Sequence, residues 1–361
     1  MKADSRQLDL IRKLADAPGA SGFEDEVLKV VRENCGWAGR IEEDAMRNLF
    51  IYRRGHDGNK PVLMLDAHSD ECGFIVHSIK PNGCLRFMSL GSWSMAGLPS
   101  SKVLVRNALG EYLPGVIALK PVHFMSQAEK DASAGIDLSS LVIDIGATSD
   151  KEAREKFHIR MGEPIVPATT FEYDEERDLM FGKGFDCRVG VAALLETMRR
   201  IDGLDLPFDV VGTLSTQEEL GERGCKVAVN RVKPDIAIAF EGCPADDTFN
   251  EPYAVQTSLK GGPMLRHMDR SIVCSPRFQR FALDMAAEKG LPIQEAVRDG
   301  GGNNGAIIQT ALAGAPVIVA GVPVRYIHSM NCISSYYDYE STVQFAVELV
   351  KSLTPEIVAG F

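Results

Sequence analysis

The sequence predicts an α/β protein in which a small β domain is inserted into a helix-covered sheet. Two observations support this prediction. After residue 169, amphipathic segments alternate with short apolar runs, an order typical of a sheet covered by helices. Between residues 73 and 168, short strand-like runs are separated by Gly, Pro, Asn and Ser, the pattern of a small β-barrel or sandwich. The simplest division assigns residues 1–72 and 169–361 to one α/β domain and residues 73–168 to the insert.

The first 72 residues are predicted to begin with two helices and to continue with strands. Residues 5–18 carry apolar side chains at helical spacing, Pro18 to Gly22 interrupt that spacing, and residues 23–34 resume it. Residues 40–52 and 61–66 are predicted strands. The run PVLMLD is almost continuously apolar, as in a strand buried on both faces.

The insert and the second half are predicted from the same kinds of pattern. Strands are expected in the insert at 74–79, 83–91, 102–107, 111–119 and 141–147, with helix or loop at 130–140 and 149–157. Beyond the insert, helices are expected at 187–201, 277–290 and 339–353, and buried strands at 207–216, 235–240 and 315–322.

Charge and cysteine content exclude several classes of function. The chain has 39 Lys and Arg against 50 Asp and Glu, a formal net charge of −11. An acidic protein of this kind is not expected to bind nucleic acid or an anionic membrane. No apolar run reaches the roughly 20 residues of a membrane helix, and the N-terminal segment has no apolar signal region. The eight scattered cysteines, none in a CxxC pair, are expected to be reduced thiols of a cytoplasmic protein.

Candidate functional side chains follow the predicted strands. Open α/β sheets bind ligands beyond the carboxyl ends of their strands, so the residues at those positions are the first candidates. The strand ends and one helix start together provide two histidines and four carboxylates: His68, Asp186, Glu218, Glu219, Glu241 and His328. Taken singly, each of these is an ordinary polar residue at a strand end or helix start. Their coincidence at one edge of the sheet is what favours a common site.

This set of side chains suits a centre with two divalent metals. Two imidazoles and three carboxylates can hold two ions if one carboxylate is shared, and one further carboxylate can take a proton from water. The doublet Glu218–Glu219 offers both a ligand and a base if neighbouring side chains diverge along an extended segment. Asp70, two residues after His68 and on the same strand face, is placed to fix that imidazole.

Motifs along nearly the whole chain resemble one peptidase family. They run in order through GASGFEDEV, DAHSDECGF, GKGFDCRVG, STQEELGERG, PDIAIAFEG, KGGPMLRHMD, GGGNNGAI and PVRYIHS. The chain resembles the tetrahedral aminopeptidases, family forty-two of the metallopeptidases, which includes glutamyl aminopeptidases and FrvX-like proteins. The resemblance implies a mixed sheet with helices on both faces and an inserted barrel-like domain that serves dimerisation or substrate access.

The resemblance also implies a role for each candidate residue. His68, Asp186 and Glu241 would bind one metal, and Asp186, Glu219 and His328 the other. Glu218 would be the general base, and Asp70 would orient His68. The expected cofactors are two divalent ions per chain, zinc or in its place cobalt. The expected partners are short peptides, shortened from their N-termini, and further copies of the chain in assemblies from a dimer to a tetrahedral dodecamer.

Four positions depart from the family's usual pattern. Cys187 stands where a second aspartate usually follows the shared one, and Glu241 stands where aspartate is usual. Asn304 replaces an acid in GGGNNGA, and residues 330–332 replace a proline and acidic pattern. The loss of acids lowers the negative charge expected near the metals. A non-catalytic peptide-binding member therefore stays as one alternative. A metal-dependent deacylase or glycan-active hydrolase, which would use the same metal site on a different bond, is another.

Overall fold

The computed structural model describes residues 2–127 and 137–361, and its centre is an eight-stranded mixed sheet. The strands follow the order β1-β2-β12-β3-β13-β16-β14-β15. Their bounds are β1 Arg40–Glu43, β2 Leu49–Tyr52, β3 Val62–His68, β12 Asp209–Ser215, β13 Ile236–Pro244, β14 Met264–Met268, β15 Gln294–Val297 and β16 Val317–Val324. The four central strands β12, β3, β13 and β16 are parallel, so their carboxyl ends meet at one edge.

Helices cover both faces of this sheet. Their bounds in the described ranges are α1 Ser5–Asp16, α2 Asp25–Asn34, α3 Asp150–Glu155, α4 Phe185–Ile201, α5 Arg223–Val232, α6 Pro276–Glu288, α7 Asn304–Thr310, α8 Tyr336–Ser352 and α9 Pro355–Val358. Alternate residues of the central strands point to opposite faces. Leu63 and Leu65 pack into a cluster with α1, α4 and α8, whereas Met64 packs into a second cluster with α5 and α7.

The insert forms a closed six-stranded antiparallel barrel. Its strands are ordered β4-β5-β8-β7-β6-β9 around the barrel. Their bounds are β4 Gly73–Ile79, β5 Leu85–Leu90, β6 Lys102–Arg106, β7 Tyr112–Ala118, β8 Val142–Asp144 and β9 Pro164–Pro167. Inward side chains such as Phe74, Val103 and Ile117 form a separate apolar core. The domain boundaries after residues 72 and 168 stay a proposal, with every barrel strand lying between them.

A small third sheet connects the segment before α4 with the segment after β16. It consists of β10 Glu172–Asp174, β11 Leu179–Gly182 and β17 Cys332–Ser334, all antiparallel. Gly182 pairs with Cys332, so the segment entering α4 lies beside the segment that follows His328.

The fold class and the long elements predicted from the sequence are confirmed. The two N-terminal helices, the insert strands and the strand–helix alternation after residue 169 all lie close to their expected positions. Residues 40–52 form two strands, β1 and β2, joined by a turn. Of the predicted helix or loop at 130–140, residues 130–136 lie outside the described residues, and residues 138–140 form a short 3-10 turn. Among the described residues, no helix has the length and apolar character needed to cross a membrane.

Candidate metal centre

Five segments bring the candidate side chains to one edge of the sheet, and one of them is the turn after β16, which carries His328. His68 is the last residue of β3, and Glu241 lies near the end of β13. A 3-10 turn at Glu218–Leu220 follows β12 and carries the two glutamates. Asp186 lies at the beginning of α4, where its backbone leaves the helical conformation, at φ −85° and ψ 108°. Because β3, β12 and β13 are parallel neighbours, these residues face one another, as the strand-end argument predicts.

Asp186 lies between the two histidines. Its Oδ1 is 3.0 Å from His68 Nε2, and its Oδ2 is 3.1 Å from His328 Nε2. Glu241 Oε2 lies 3.5 Å from His68 Nε2 on one side, and Glu219 Oε1 lies 3.7 Å from His328 Nε2 on the other. Both histidines therefore lie beside Asp186. Each also lies beside a second carboxylate, which is Glu241 for His68 and Glu219 for His328.

The donor set fits divalent cations. Burial raises the pKa of Glu219 to about 7, an effect that the charge of His328 opposes and that of Asp186 reinforces. Burial likewise raises the pKa of Glu241, against the hydrogen bond and charge of His68. Glu219 Oε1 is buried and has no hydrogen-bond partner. Buried carboxylates crowded in this way are unfavourable unless cations or protons compensate them, and imidazole and carboxylate are common zinc ligands.

Two cysteines also lie within reach of these ligand atoms. Cys187 falls with His68, Asp186 and Glu241 in one group of potential ligands, and Cys72 falls with Glu219 and His328 in another. The Cys187 thiol donates to the carbonyl oxygen of Phe240 at 3.2 Å. All eight cysteines of the chain are free thiols.

Asp70 contacts three parts of the centre. Its Oδ1 lies 3.3 Å from His68 Nδ1, although the alignment is not that of a hydrogen bond. It accepts well-formed hydrogen bonds from the backbone N–H of Glu218 at 2.9 Å and from the hydroxyl of Ser21 at 2.6 Å. Asp70 lies just beyond β3, so it is not on the strand face that its spacing from His68 predicts.

Glu218 borders the open cavity beside the centre. Its Oε2 lies 4.0 Å from His68 Nε2. Burial raises the pKa of Glu218 well above its ordinary value; the charge of His68 opposes this shift and that of Glu241 reinforces it. The segment that carries the two glutamates is not extended but forms a 3-10 turn that begins after Gln217 at φ 53°. Glu218 lies near His68, whereas Glu219 lies near His328.

A buried ion-pair network lies next to the candidate metal centre, and the sequence did not predict it. The Lys183 Nζ lies 2.7 Å from Glu71 Oε1, and Arg188 Nη2 lies 3.4 Å from the same oxygen. Arg188 also donates to the carbonyl oxygens of Leu14 and Ala17. Glu71 follows the His68 strand, whereas Lys183 and Arg188 flank Asp186, so the network fixes these two segments relative to each other.

Asn304 stands where an acid is usual in the family, and its side chain lies beside a carboxylate on β3, that of Asp66. Asn304 Nδ2 donates to Asp66 Oδ2 at 2.7 Å, and the hydroxyl of Ser215 donates to Asp66 Oδ1 at 2.6 Å. Burial raises the pKa of Asp66 to about 7, although both hydrogen bonds oppose that shift. A buried carboxyl group is therefore present at the beginning of α7, but a different element supplies it.

The cavity in front of the centre has a volume of about 550 Å³. His68, Asp186, Glu218, Glu219, Glu241 and His328 line one side of it. Three arginines that sequence reasoning did not single out, Arg266, Arg270 and Arg298, line the rest together with the glycine-rich loop 300–302. The motif KGGPMLRHMD contains Arg266, but its pattern alone does not indicate where that side chain points.

Comparison with known proteins agrees with this fold. A family model described as M42 glutamyl aminopeptidase matches residues 47–345. The putative aminopeptidase FrvX of Escherichia coli is 29% identical over 98% of each chain. The glutamyl aminopeptidase of Lactococcus lactis is 29% identical over 97% of this chain and 98% of its own. The lysyl aminopeptidase of Pyrococcus furiosus is 28% identical over 96% of this chain and 97% of its own.

Solved structures give the same result. The TET aminopeptidase of a marine sediment Thaumarchaeota archaeon superimposes with a TM-score of 0.92, at 34% identity and 99% coverage of both chains. The TET1 peptidase of Pyrococcus horikoshii, described as assembling into a tetrahedron or a large octahedral shell, gives a TM-score of 0.85 at 28% identity. That match covers 96% of this chain and all of the other. The chain therefore belongs to the M42 family of peptidases and is a hydrolase of the aminopeptidase class.

Proposed function

We propose that this protein is a two-metal aminopeptidase that removes N-terminal residues from short peptides. The observation that carries the proposal is the position of Asp186, whose two oxygens lie 3.0 Å and 3.1 Å from the imidazoles of His68 and His328. A carboxylate between two imidazoles, each with one further carboxylate, is the arrangement that two neighbouring divalent ions require.

The proposed ligands divide into two sets that share Asp186. His68 and Glu241 complete one set, and Glu219 and His328 complete the other. The side chains are nitrogen and oxygen donors of the kind that zinc favours, and cobalt accepts the same donors. Two such ions, when bound, activate a water molecule and polarise the carbonyl group of the scissile bond.

Glu218 is the proposed general base and acid. It borders the cavity and belongs to neither proposed ligand set, with Oε2 4.0 Å from His68 Nε2. Its carboxylate can take a proton from water and return it to the leaving amine, and burial raises its pKa above the ordinary value, which makes it a stronger base. The 3-10 turn lets Glu218 face the cavity while Glu219 faces His328.

Asp70 is the proposed positioning residue. By accepting the backbone N–H of Glu218 and Glu219, it holds the turn that carries base and ligand. Its second contact, with His68 at 3.3 Å, orients the imidazole so that Nε2 faces Asp186. Groups behind the ligands commonly set ligand orientation and basicity in metal centres.

Assembly and substrate access belong to the same proposal. The TET1 peptidase of Pyrococcus horikoshii, whose fold this chain shares, is described as forming closed shells. We infer that this chain also forms homo-oligomers, from a dimer to a dodecamer, with the barrel of residues 73–168 at an interface or an entrance. A closed shell would restrict the enzyme to short or unfolded peptides.

Chelation combined with metal analysis tests the proposed function. Removing metals with a chelator should abolish hydrolysis of leucyl and glutamyl p-nitroanilides, and adding zinc or cobalt should restore it with two ions per chain. Persistence of activity in the metal-free protein would contradict the two-metal mechanism. Two bound ions without any peptidase activity would instead favour a deacylase or a non-catalytic binding protein.

A further inference from the structure

The barrel reaches the candidate metal centre through a short loop. Residues 91–93, called the barrel loop below, directly follow strand β5. The backbone carbonyl oxygen of Ser92 lies 3.0 Å from His328 Nδ1. Because a carbonyl oxygen can only accept a hydrogen bond, Nδ1 carries the proton, and the lone pair of Nε2 faces Asp186 and Glu219. The barrel loop therefore holds His328 in the tautomer that can bind a metal.

The two proposed histidine ligands differ in what lies behind the ring. Asp70, in the segment that follows β3, approaches Nδ1 of His68 at 3.3 Å. The corresponding position behind His328 is filled from the barrel, by the carbonyl group of Ser92. The contact with the barrel therefore falls on the ligand set that contains Glu219 and His328, which would hold the second of the two metals.

The backbone of His328 depends on such support. Its φ is 56°, in the left-handed region that residues other than glycine seldom adopt, and its side chain is 33% exposed. A strained and partly exposed residue keeps a single conformation only where its surroundings fix it. The hydrogen bond to Ser92 is one such contact, and Cys72 Sγ, 3.6 Å from the same Nδ1, is another.

The barrel loop is anchored on both sides of its carbonyl group. The Cys72 thiol donates to the carbonyl oxygen of Ser92 at 3.5 Å. The Trp93 indole N–H donates to the carbonyl oxygen of Gly73 at 3.1 Å, and its ring stacks on Phe74 with centroids 4.8 Å apart. These contacts fix the Ser92 carbonyl relative to the segment that follows β3.

Gly91 brings the barrel loop close to the second ligand set. A Cβ atom at this position would lie 2.6 Å from Cys72 Sγ and 3.2 Å from Glu219 Oε2. Its φ of 88° is also one that glycine adopts far more readily than other residues. One added methyl group at Gly91 would therefore push the loop away from Glu219 and from its contact with His328.

We propose that the barrel loop is a positioning element for the second metal, and that this ion in turn holds the loop in place. The inference rests on the proposed two-metal function, and it gives the insert a part in the centre itself in addition to assembly or access. Groups behind a ligand commonly set its orientation and the metal affinity, and coupling between two sites is reciprocal. Disturbing the loop should therefore weaken the ion assigned to Glu219 and His328 and spare the ion assigned to His68 and Glu241.

The first test compares Gly91→Ala with Gly110→Ala. Gly110 lies in the same barrel at φ 83°, but a Cβ atom there would meet no other atom of the described residues within 4 Å. This control therefore reproduces the backbone strain without the clash. Zinc binding to the metal-free proteins would be measured by titration calorimetry and checked by metal analysis after dialysis.

The expected result is selective for one ion. The wild type and Gly110→Ala should each bind two zinc ions per chain. Gly91→Ala should bind one ion with the wild-type affinity and the other about 10-fold to 100-fold more weakly. The ion that is retained would show that the variant is folded, so a general loss of structure would not give this pattern.

Hydrogen–deuterium exchange of the wild-type chain tests the reciprocal effect without any substitution. Because the barrel loop and the second ion stabilise each other, removing the metals should speed backbone amide exchange in peptides that cover residues 91–95. The turn at residues 107–111, in the same barrel, is the internal control and should exchange equally in both states.

The outcomes separate this inference from the function on which it rests. Unchanged zinc binding in Gly91→Ala, or equal weakening of both ions in a folded variant, would overturn the role of the barrel loop and leave the two-metal centre intact. Equal exchange at residues 91–95 with and without metal would do the same, and this measurement alone decides if Gly91→Ala does not fold. Fewer than two ions bound by the wild type would overturn the proposed function itself.

Discussion

The backbone N–H of Glu218 donates a hydrogen bond to Asp70 Oδ1 at 2.9 Å. The other oxygen of Asp70 accepts the N–H of Glu219 at 3.2 Å, and the same side chain approaches His68 at 3.3 Å. One buried carboxylate thus joins the strand end that carries a proposed metal ligand to the turn that carries the proposed base. We therefore expect the relative position of the proposed base and ligands to depend on Asp70.

Replacing Asp70 by Asn should therefore lower kcat. The amide keeps one acceptor oxygen and brings an N–H towards the N–H of Glu218 or Glu219, so the turn loses at least one hydrogen bond. We expect a loss of about 10-fold to 100-fold in kcat or metal affinity, measured by steady-state kinetics and metal titration. Ser21→Ala removes only one donor to Asp70 and should cost less. Unchanged kcat and metal affinity in Asp70→Asn would show that Asp70 does not position the centre.

Replacing Glu218 by Gln should separate chemistry from metal binding. Glutamine has nearly the same shape but cannot accept a proton, so kcat should fall about 10²-fold to 10⁴-fold. Metal content, measured by atomic emission on the purified variant, should stay at the wild-type value because Glu218 is not among the proposed ligands. Retained turnover would show that another group is the base. Loss of metal would make Glu218 a ligand.

Exchanging the side chains of Asp66 and Asn304 should show that the two residues stabilise the fold as a pair. Asn304→Asp alone places a second buried carboxyl group beside Asp66, where Asn304 Nδ2 now donates at 2.7 Å. We expect a loss of about 2–4 kcal/mol in the free energy of unfolding at pH 7, measured by urea denaturation. The double variant Asp66→Asn with Asn304→Asp restores an amide–carboxylate pair and should recover most of that loss. Additive effects of the two changes would contradict this coupling.

Glu196 should stabilise the protein in a pH-dependent manner. Burial alone would raise its pKa, but hydrogen bonds from Arg199, Arg200 and Arg6 lower the pKa well below the usual range. Because the folded pKa lies below the unfolded value of about 4.3, the stabilisation is present at neutral pH and is lost as the pH falls below that value.

The corresponding variant is Glu196→Gln, compared with the wild type in the metal-free state by urea denaturation. We expect it to lower the free energy of unfolding by about 2–3 kcal/mol at pH 7 and by less at pH 4. Glu42→Gln is a matched control, since Glu42 also pairs with two arginines but lies at the surface. Its change should stay within about 0.5 kcal/mol. A pH-independent effect of Glu196→Gln would contradict the role of the ionised carboxylate.

The strand-end argument predicted which residues converge because the strands that carry them have strong apolar patterns. β3 and β13 are almost continuously buried, so His68 and Glu241 stand out as polar residues near their ends. His328 follows β16, which is parallel to β13, whereas Asp186 follows an antiparallel strand of the small sheet and was singled out by its place at a helix start. Because these strands are buried on both faces, their ends can be recognised in a single sequence.

The sequence could not predict the arginines that line the cavity or the pairing of Asp66 with Asn304. Arg266 lies in MLRHM, a short strand near the sheet edge with no clear alternation, and Arg298 follows the edge strand β15. Asp66 and Asn304 are 238 positions apart and meet only because α7 packs against the central strands. Contacts of this kind depend on tertiary packing, which local patterns do not encode. The conformation of the Glu218 turn was missed for a similar reason, because backbone at φ 53° at Gln217 has no sequence signal when the residue is not glycine.

A peptide digest followed by mass spectrometry tests the central claim most directly. The zinc-loaded or cobalt-loaded protein would be mixed with short peptides of varied N-termini, each paired with its N-acetylated form. The account predicts a ladder of single residues lost from the free peptides and none from the acetylated ones. Cleavage of the acetylated peptides, or no cleavage of either set by protein with metal bound, would contradict it.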